Sequence, residues 1–362
     1  MPIEKVSIDH YKIPLPRVLT DAKHGEMRDF GFVAVRITDH EGRTGLGYTY
    51  TVNAGSGAVA ALARELESLL IGKDADCIEA LWQQMWWRLH FVGRSGLVSF
   101  AIAAIDTALW DLKAHKAQMP LWKLLGGHNP NVVAYAGGID LYLPLPDLLE
   151  QTRQNLASGL RAIKMKVGRD NVSEDIQRVA AMRELIGDDI PLMVDANMGW
   201  SVDKAIIAAR QLAELNVTWL EEPTDPDDYQ GYARIQAEGG MPIAAGENLH
   251  SLFEFRQMIS AGAATFIEPD VATCGGITPW MKIARLAEAH NLQVTSHGVH
   301  DLHLHLLAAI PNASFLEIHG FGLERFMHNP LTFTEGRARA GDVPGHGITL
   351  DFEKLEAFRA DS

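Results

Sequence analysis

The sequence predicts an α/β chain in which a smaller α+β domain precedes a (β/α)7β barrel. Three observations carry this. From about residue 130 short β-rich runs alternate with helical stretches, the rhythm of parallel βαβ units. Eight such runs follow one another, at 132–135, 162–167, 191–195, 217–221, 242–245, 265–268, 293–296 and 314–317, with seven helical segments between them and no clear helix after Glu317. The first 125 or so residues read differently, with three alternating runs followed by helical patterns. Eight parallel strands can close into a barrel, and a missing last helix makes it a modified TIM barrel, shorter than the roughly 250 residues usual for the fold.

In order along the chain, the N-terminal runs are 3–13, 30–38 and 42–50. The clearest helix behind them starts at Ser95 and places Val98, Ala101, Ile102, Ile105, Leu109 and Leu112 at helical spacing, which marks it as a core helix. In the barrel, Ser201 is positioned as an N-cap before the apolar stretch 203–209, and Thr278-Pro279 opens a helix over 280–289. The tail from Gly320 contains short runs at 331–333 and 348–350, which are expected to pair back onto the first domain. The expected domains are a capping domain at 1–128, a barrel at 129–320 and a returning C-terminal segment at 321–362.

Charge and composition narrow the function classes. Lys and Arg number 32 against 46 Asp and Glu, a net −14, which argues against nucleic acid as a partner. The longest uncharged stretch, 44–63, is interrupted by Gly45, Gly47, Gly55 and Gly57 and is no membrane span. Residues 1–6 lack the pattern of a secretory signal, and Cys77 and Cys274 cannot form a disulfide framework. A cytoplasmic, homo-oligomeric protein with free thiols and a small-molecule substrate is expected.

Barrel enzymes carry their reactive groups at the C-terminal ends of the strands. Here those ends read Lys164-Met165-Lys166, Asp195-Ala196-Asn197, Glu221-Glu222-Pro223, Gly246-Glu247-Asn248, Glu268-Pro269-Asp270, Ser296-His297 and Leu316-Glu317. Asp195, Glu221 and Glu247 are spaced 26 residues apart, one per βα unit, so three carboxylates from adjacent strands converge. Without a cation they would repel one another, and an all-oxygen set suits Mg²⁺ better than Zn²⁺. Lys164 and Lys166 point into the same space by strand alternation, and two close ammonium groups are expected to depress each other's pKa, preparing one as a base. Asp270 and His297 end neighbouring strands, so the carboxylate can orient the imidazole as a second acid/base. Because strands two and seven stand on opposite sides, lysine and histidine would face a substrate from opposite faces. Glu317 is expected to act in protonated form on developing negative charge.

This set of residues resembles the mandelate racemase subgroup of the enolase superfamily, and the resemblance spans the whole chain. It implies that Asp195, Glu221 and Glu247 bind Mg²⁺, that Lys166 is one acid/base and the Asp270–His297 pair the other, that Lys164 and Glu317 contact the substrate carboxylate, and that Asn197 contacts substrate. It also implies abstraction of the proton α to that carboxylate through an enediolate, chemistry established for the superfamily generally.

The segment 20–29 departs from mandelate racemase, whose corresponding loop is apolar. Lys23, His24 and Arg28 are expected to bind hydroxyls and a second carboxylate, as in similar family members that dehydrate talarate and galactarate. The expected reaction is therefore dehydration of a polyhydroxylated acid sugar, foremost a six-carbon diacid, to a 2-keto-3-deoxy acid, which makes the enzyme a hydro-lyase. Racemisation or epimerisation is the alternative outcome. A zinc-dependent barrel hydrolase is the remaining rival, suggested by His297, His300, His303 and His305, but similar hydrolases carry His-x-His on strand one and 132–137 contains none.

Overall fold

The computed structural model describes residues 2–360. The capping domain is a three-stranded antiparallel sheet, β1 (Ile3–Asp21), β2 (Gly25–Asp39) and β3 (Thr44–Val52), covered by α1 (Ser56–Leu70), α2 (Ile78–Leu89) and α3 (Leu97–Ala117), with a short α4 (Leu121–Leu124) leading out. The stripe foreseen on α3 is buried throughout. Two glycines let β3 lie directly on that helix: a Cβ at Gly45 would stand 2.2 Å from the Ala108 carbonyl oxygen, and one at Gly47 2.1 Å from that of Ala104.

The barrel alternates β4 (Asn131–Gly137), α5 (Leu145–Ala157), β5 (Ile163–Lys166), α6 (Val172–Ile186), β6 (Leu192–Asp195), α7 (Val202–Ala213), β7 (Val217–Glu221), α8 (Tyr229–Gly239), β8 (Ile243–Ala245), α9 (Leu252–Ser260), β9 (Phe266–Ile267), α10 (Ile277–Ala289), β10 (Gln293–Val294), α11 (His300–Ala308) and β11 (Phe315–His319). Neighbouring strands run parallel in that order, β11 pairs with β4, and a Val294–Ala313 bridge joins β10 to the approach of β11, so the barrel closes as (β/α)7β. Ser201 stands at the N-cap of α7 but makes no side-chain capping bond. Inside the barrel Tyr135, Met193, Trp219 and Phe266 form a buried plug beneath the strand ends. Among the described residues no helix is long and apolar enough to cross a membrane.

The structure departs from the sequence pattern in two places. In the tail, β12 (Phe333–Thr334) and β13 (Arg337–Arg339) form a hairpin that pairs with barrel strand β4, and Leu350 pairs with Met327 inside the tail, so neither run reaches the capping sheet. The tail meets the cap through other contacts: Arg325 donates to the Pro14 carbonyl at 2.9 Å, the His346 amide donates to Asp111 at 2.9 Å, and after α12 (Phe352–Glu356) the Lys12 and Ala360 amides donate to the Phe358 and His10 carbonyls. β4 offers an open backbone edge beyond its barrel partners, and the hairpin covers it. The second departure is β1. It runs past Ile13, through a register shift between Pro14 and Leu19, to Asp21, so residues 20–29 are the tip of a β-hairpin rather than a free loop.

A third feature concerns the glycine pair before α10. Gly275 and Gly276 both have φ of 98°, and the helix start receives a carboxylate from the cap: Asp106 of α3 accepts from the Thr278 amide at 2.8 Å and from its hydroxyl at 2.7 Å. The carboxyl at this N-terminus is thus intramolecular, pushed up to about 7 by its burial, and it clamps cap to barrel through these hydrogen bonds.

Candidate active site

Register brings the strand ends together. Lys166 lies beside Asp195, and Asp195 beside Glu221, across β5, β6 and β7, while Glu247 follows β8 after Gly246. Ligand oxygens of Asp195, Glu221 and Glu247 all lie within 4.8 Å of one another. Two of the carboxylates are held from behind. The Asn197 amide donates to Asp195 Oδ1 at 2.8 Å, and the Trp219 indole, part of the barrel plug, donates to Glu221 Oε2 at 3.0 Å. Glu247 Oε2 is buried without a hydrogen bond of proper geometry, although His297 Nε2 stands 3.2 Å away. Three oxygen donors, one of them unsatisfied, fit a hard divalent cation. Asn197 and Glu222, close behind the first two carboxylates, both have φ of 37°, strained backbone of the kind that collects at functional sites.

The lysines differ from the sequence expectation. Lys164 Nζ stands 2.6 Å from Glu221, 2.8 Å from Glu317 and 3.8 Å from Asp195, and Lys166 Nζ donates to Asp195. Burial works against both ammonium charges, but the carboxylates outweigh burial and mutual repulsion, so both lysines are raised rather than depressed. Glu317 is corrected in the same way. Despite burial, Lys164 holds it well below the usual carboxylate range, and its other oxygen accepts from the Gly298 amide at 2.9 Å, so it stands ionised rather than neutral. Burial and the charge of Asp195 push Glu221 up, as expected of carboxylates this close.

Opposite Lys166, His297 Nδ1 stands 3.1 Å from Asp270 Oδ2. The same oxygen accepts from the Tyr50 hydroxyl of β3 at 2.7 Å. Burial opposes a charge on His297, but Glu247 and then Asp270 raise it well above the ordinary imidazole value. Gly298 makes the approach possible: with φ of 77°, a Cβ there would fall 2.4 Å from the Tyr50 hydroxyl and 2.5 Å from Asp270.

Above this floor lies a cavity of about 370 Å³ that also takes in Asn197 and His24. Its outer wall is largely apolar, with Met27, Val52, Leu97, Phe100, Ile139 and Phe321, and also carries Thr51, Asn248, His250 and Thr273. Among the described residues the cavity wall carries Lys166 as its one Lys or Arg. Lys23 and Arg28 do not reach it. Strand alternation turns buried Met27 inward and Arg28 outward, where Arg28 pairs with exposed Glu26 at 2.5 Å. Lys23 is exposed at the hairpin turn.

Three wall residues escaped the sequence reading. Asp21 ends β1 and Tyr50 lies near the end of β3, cap strands whose docking onto the barrel no local pattern reveals. His319 had a signal, since it stands two residues beyond Glu317 on β11 and so shares its face; its ring packs 5.3 Å from His297 and 4.1 Å from Phe321, and burial pushes it down to about 3. His300, His303 and His305 all lie buried on α11. Burial pushes His303 and His305 down to about 4, and His303 Nε2 accepts from the Val271 amide at 3.0 Å. Among the described residues, no group with metal-ligand spacing includes any of these three, which removes the main support for a zinc hydrolase.

The comparisons agree with this geometry. Residues 13–126 match the N-terminal domain of the mandelate racemase / muconate lactonizing enzyme family, and residues 147–355 match its enolase C-terminal domain-like partner. The chain is 56% identical over 354 residues to a 3,6-anhydro-alpha-L-galactonate cycloisomerase of Streptomyces coelicolor, covering 98% of each chain. It is 38% identical over 355 residues to an L-talarate/galactarate dehydratase of Salmonella typhimurium, covering 96% of this chain and 89% of that one. A crystal structure of a racemase from Streptomyces coelicolor with bound magnesium superposes with a TM-score of 0.97 at 54% identity, covering 99% of this chain and all of that one. The chain belongs to the mandelate racemase / muconate lactonizing enzyme family of the enolase superfamily.

Proposed function

We propose that the protein is a Mg²⁺-dependent acid-sugar enzyme that removes the proton at C2 of a monocarboxylate and expels the oxygen at C3, opening a ring ether to give a 2-keto-3-deoxy acid. Asp195, Glu221 and Glu247 would hold the ion. When bound there, it supplies the positive charge that stabilises an enediolate, as is established for enolase-superfamily sites generally. Lys164 at the floor would bind the substrate carboxylate, and Lys166 and His297 would flank C2 from opposite sides, one as base. Glu317 keeps Lys164 in place, and Asp270 with Tyr50 orients His297.

The observation that carries the choice of substrate is the wall. A six-carbon diacid carries a second carboxylate, and beyond Lys166 the lining among the described residues holds no Lys or Arg to pair with it. That charge would have to be answered by His24 and neutral polar groups beside Met27, Val52, Leu97, Phe100, Ile139 and Phe321, which makes its burial costly. An anhydro-sugar acid has one carboxylate and a compact ring with an apolar edge, and the 56% identical cycloisomerase is named for such a substrate. Dehydration of a diacid is the second reading, favoured by the 38% identical dehydratase. Both share the same proton abstraction and differ in whether the leaving oxygen remains attached.

The test is incubation of purified protein and Mg²⁺ with 3,6-anhydro-L-galactonate, galactarate and L-talarate, following 2-keto-3-deoxy acid formation. Turnover of the anhydro acid at least about 10²-fold above the diacids in kcat/KM is expected. Preference for a diacid would replace the first reading with the second.

A further inference from the structure

We propose that His24, held at the tip of the β1–β2 hairpin by Asp21, is the acid that protonates the C3 oxygen as it leaves, so that elimination uses a second histidine–carboxylate pair distinct from His297–Asp270. The proposal rests on the elimination reading above.

The pair is a constructed one. Asp21 is 5% exposed, and its Oδ1 accepts from the Lys23 amide at 2.9 Å and the His24 amide at 2.7 Å. Its Oδ2 stands 2.8 Å from His24 Nδ1. Engaging Nδ1 leaves Nε2 on the far side of the ring, where among the described residues it has no protein partner. Just after β3, Asn53 donates to the His24 carbonyl at 3.1 Å and fixes the hairpin tip from the other side. His24 and Asp21 both line the cavity that Lys166, Asn197, Glu247 and His297 line from below. The hydrogen bond to Asp21 raises the basicity of the imidazole against the effect of burial, which favours a ring that carries a proton to give.

The position suits the chemistry. With the substrate carboxylate on the floor at Lys164 and C2 between Lys166 and His297, the chain from C3 onward leads toward the lid. The base takes the C2 proton, and the C–H electron pair passes into the enediolate. That pair then forms the C2–C3 double bond as the C3–O bond breaks. The departing oxygen keeps the bond's electrons and takes the proton from His24 Nε2; the enol then gives up its C2 hydroxyl proton and takes one at C3 to become the 2-keto acid. For a ring ether the oxygen becomes a hydroxyl of the same molecule, and for a hydroxyl it leaves as water. The His24 side chain is 38% exposed, so it can recover its proton from solvent at the cavity mouth.

The experiment compares keto-acid formation with C2 hydrogen–deuterium exchange, read by NMR in deuterium oxide with Mg²⁺ present, for wild type, His24→Gln and Asp21→Asn. Asp21→Asn retains an oxygen for the two turn amides while removing the charge, which separates the acid role from the fold of the hairpin. In His24→Gln, keto-acid formation should fall by about 10²-fold or more while C2 exchange continues and deuterated substrate is recovered. Asp21→Asn should lose about tenfold in the same step with exchange unchanged. Keto acid formed by His24→Gln within threefold of wild type, or an equal fall of exchange and elimination in both variants, overturns the acid role alone. A wild-type enzyme that exchanges C2 but yields no keto acid from any of the three substrates overturns the acid role together with the elimination reading.

Discussion

On the floor of the cavity Lys164, Lys166, Asp195, Glu221 and Glu317 are packed so closely that each charge finds an opposite within hydrogen-bond distance. On the outer wall the same cavity offers Met27, Val52, Leu97, Phe100, Ile139 and Phe321, interspersed with the neutral polar Thr51, Asn248 and Thr273 and the imidazoles of His24 and His250. The contrast assigns different work to the two regions. Buried charges in this density are expensive to assemble and are retained only where their mutual pairing, or a bound cation, offsets desolvation. The floor therefore defines what reaction can occur at C2. The wall has no such cost and selects by shape and by what it declines to solvate, so it defines which substrate brings its C2 to the floor.

Removing a floor carboxylate should give the largest effect. Glu221→Gln takes one oxygen charge from the candidate ion site and breaks the balance around Lys164, which stands 2.6 Å away. Both C2 exchange and keto-acid formation should fall by at least about 10³-fold, with Mg²⁺ affinity measured by calorimetry falling in parallel. Wild-type protein in excess chelator should behave like the variant, and full activity under either condition would remove the metal from the mechanism.

That floor was also the legible part of the chain. Eight strand ends could be found from periodicity, and once β5, β6 and β7 are in register the residues Lys166, Asp195 and Glu221 must be neighbours. What could not be read was charge state, because the expected depression of the lysines and neutrality of Glu317 depended on distances to third groups. The wall was read least well. The alternation that buries Met27 and expels Arg28 is hidden in the sequence, because the β pattern of the first run fades at Ile13 while β1 continues to Asp21 past two prolines. Tyr50 reaches Asp270 across 220 positions of sequence, a contact made by domain docking and signalled by nothing local. The helix start after Gly275-Gly276 has the same character, as its carboxyl acceptor, Asp106, comes from the other domain.

Tyr50 lies at the seam of the two regions, and its removal should have an intermediate effect. The hydroxyl and the His297 ring share Asp270 Oδ2, at 2.7 and 3.1 Å. Tyr50→Phe leaves the aromatic packing against Phe321 but frees the carboxylate to rotate, so the imidazole loses its fixed orientation. Outer-shell partners of this kind are worth about 10- to 100-fold. The loss should fall on kcat and on exchange at the histidine-facing side of C2, with exchange at the lysine-facing side kept. Equal loss on both sides would mean that Tyr50 holds the cap in place rather than the dyad.

Lys23→Ala and Arg28→Ala should give the smallest effect, and they sharpen the comparison most because the sequence alone argues the opposite. Read as a loop, the charged segment promised a binding site for a distal carboxylate. In the structure Arg28 is on the outward face of β2, its side chain 66% exposed and paired with Glu26, itself 61% exposed. Such surface pairs contribute about 0–1 kcal/mol, and neither partner touches the cavity. Lys23 contributes its backbone amide to Asp21, which an alanine supplies equally well. Both variants should therefore stay within about twofold of wild type in kcat/KM for monoacid and diacid alike, a change of under about 0.5 kcal/mol. A selective loss on diacids in either variant would mean that the hairpin tip turns these side chains inward when substrate binds, and the preference for a monocarboxylate would fall with it.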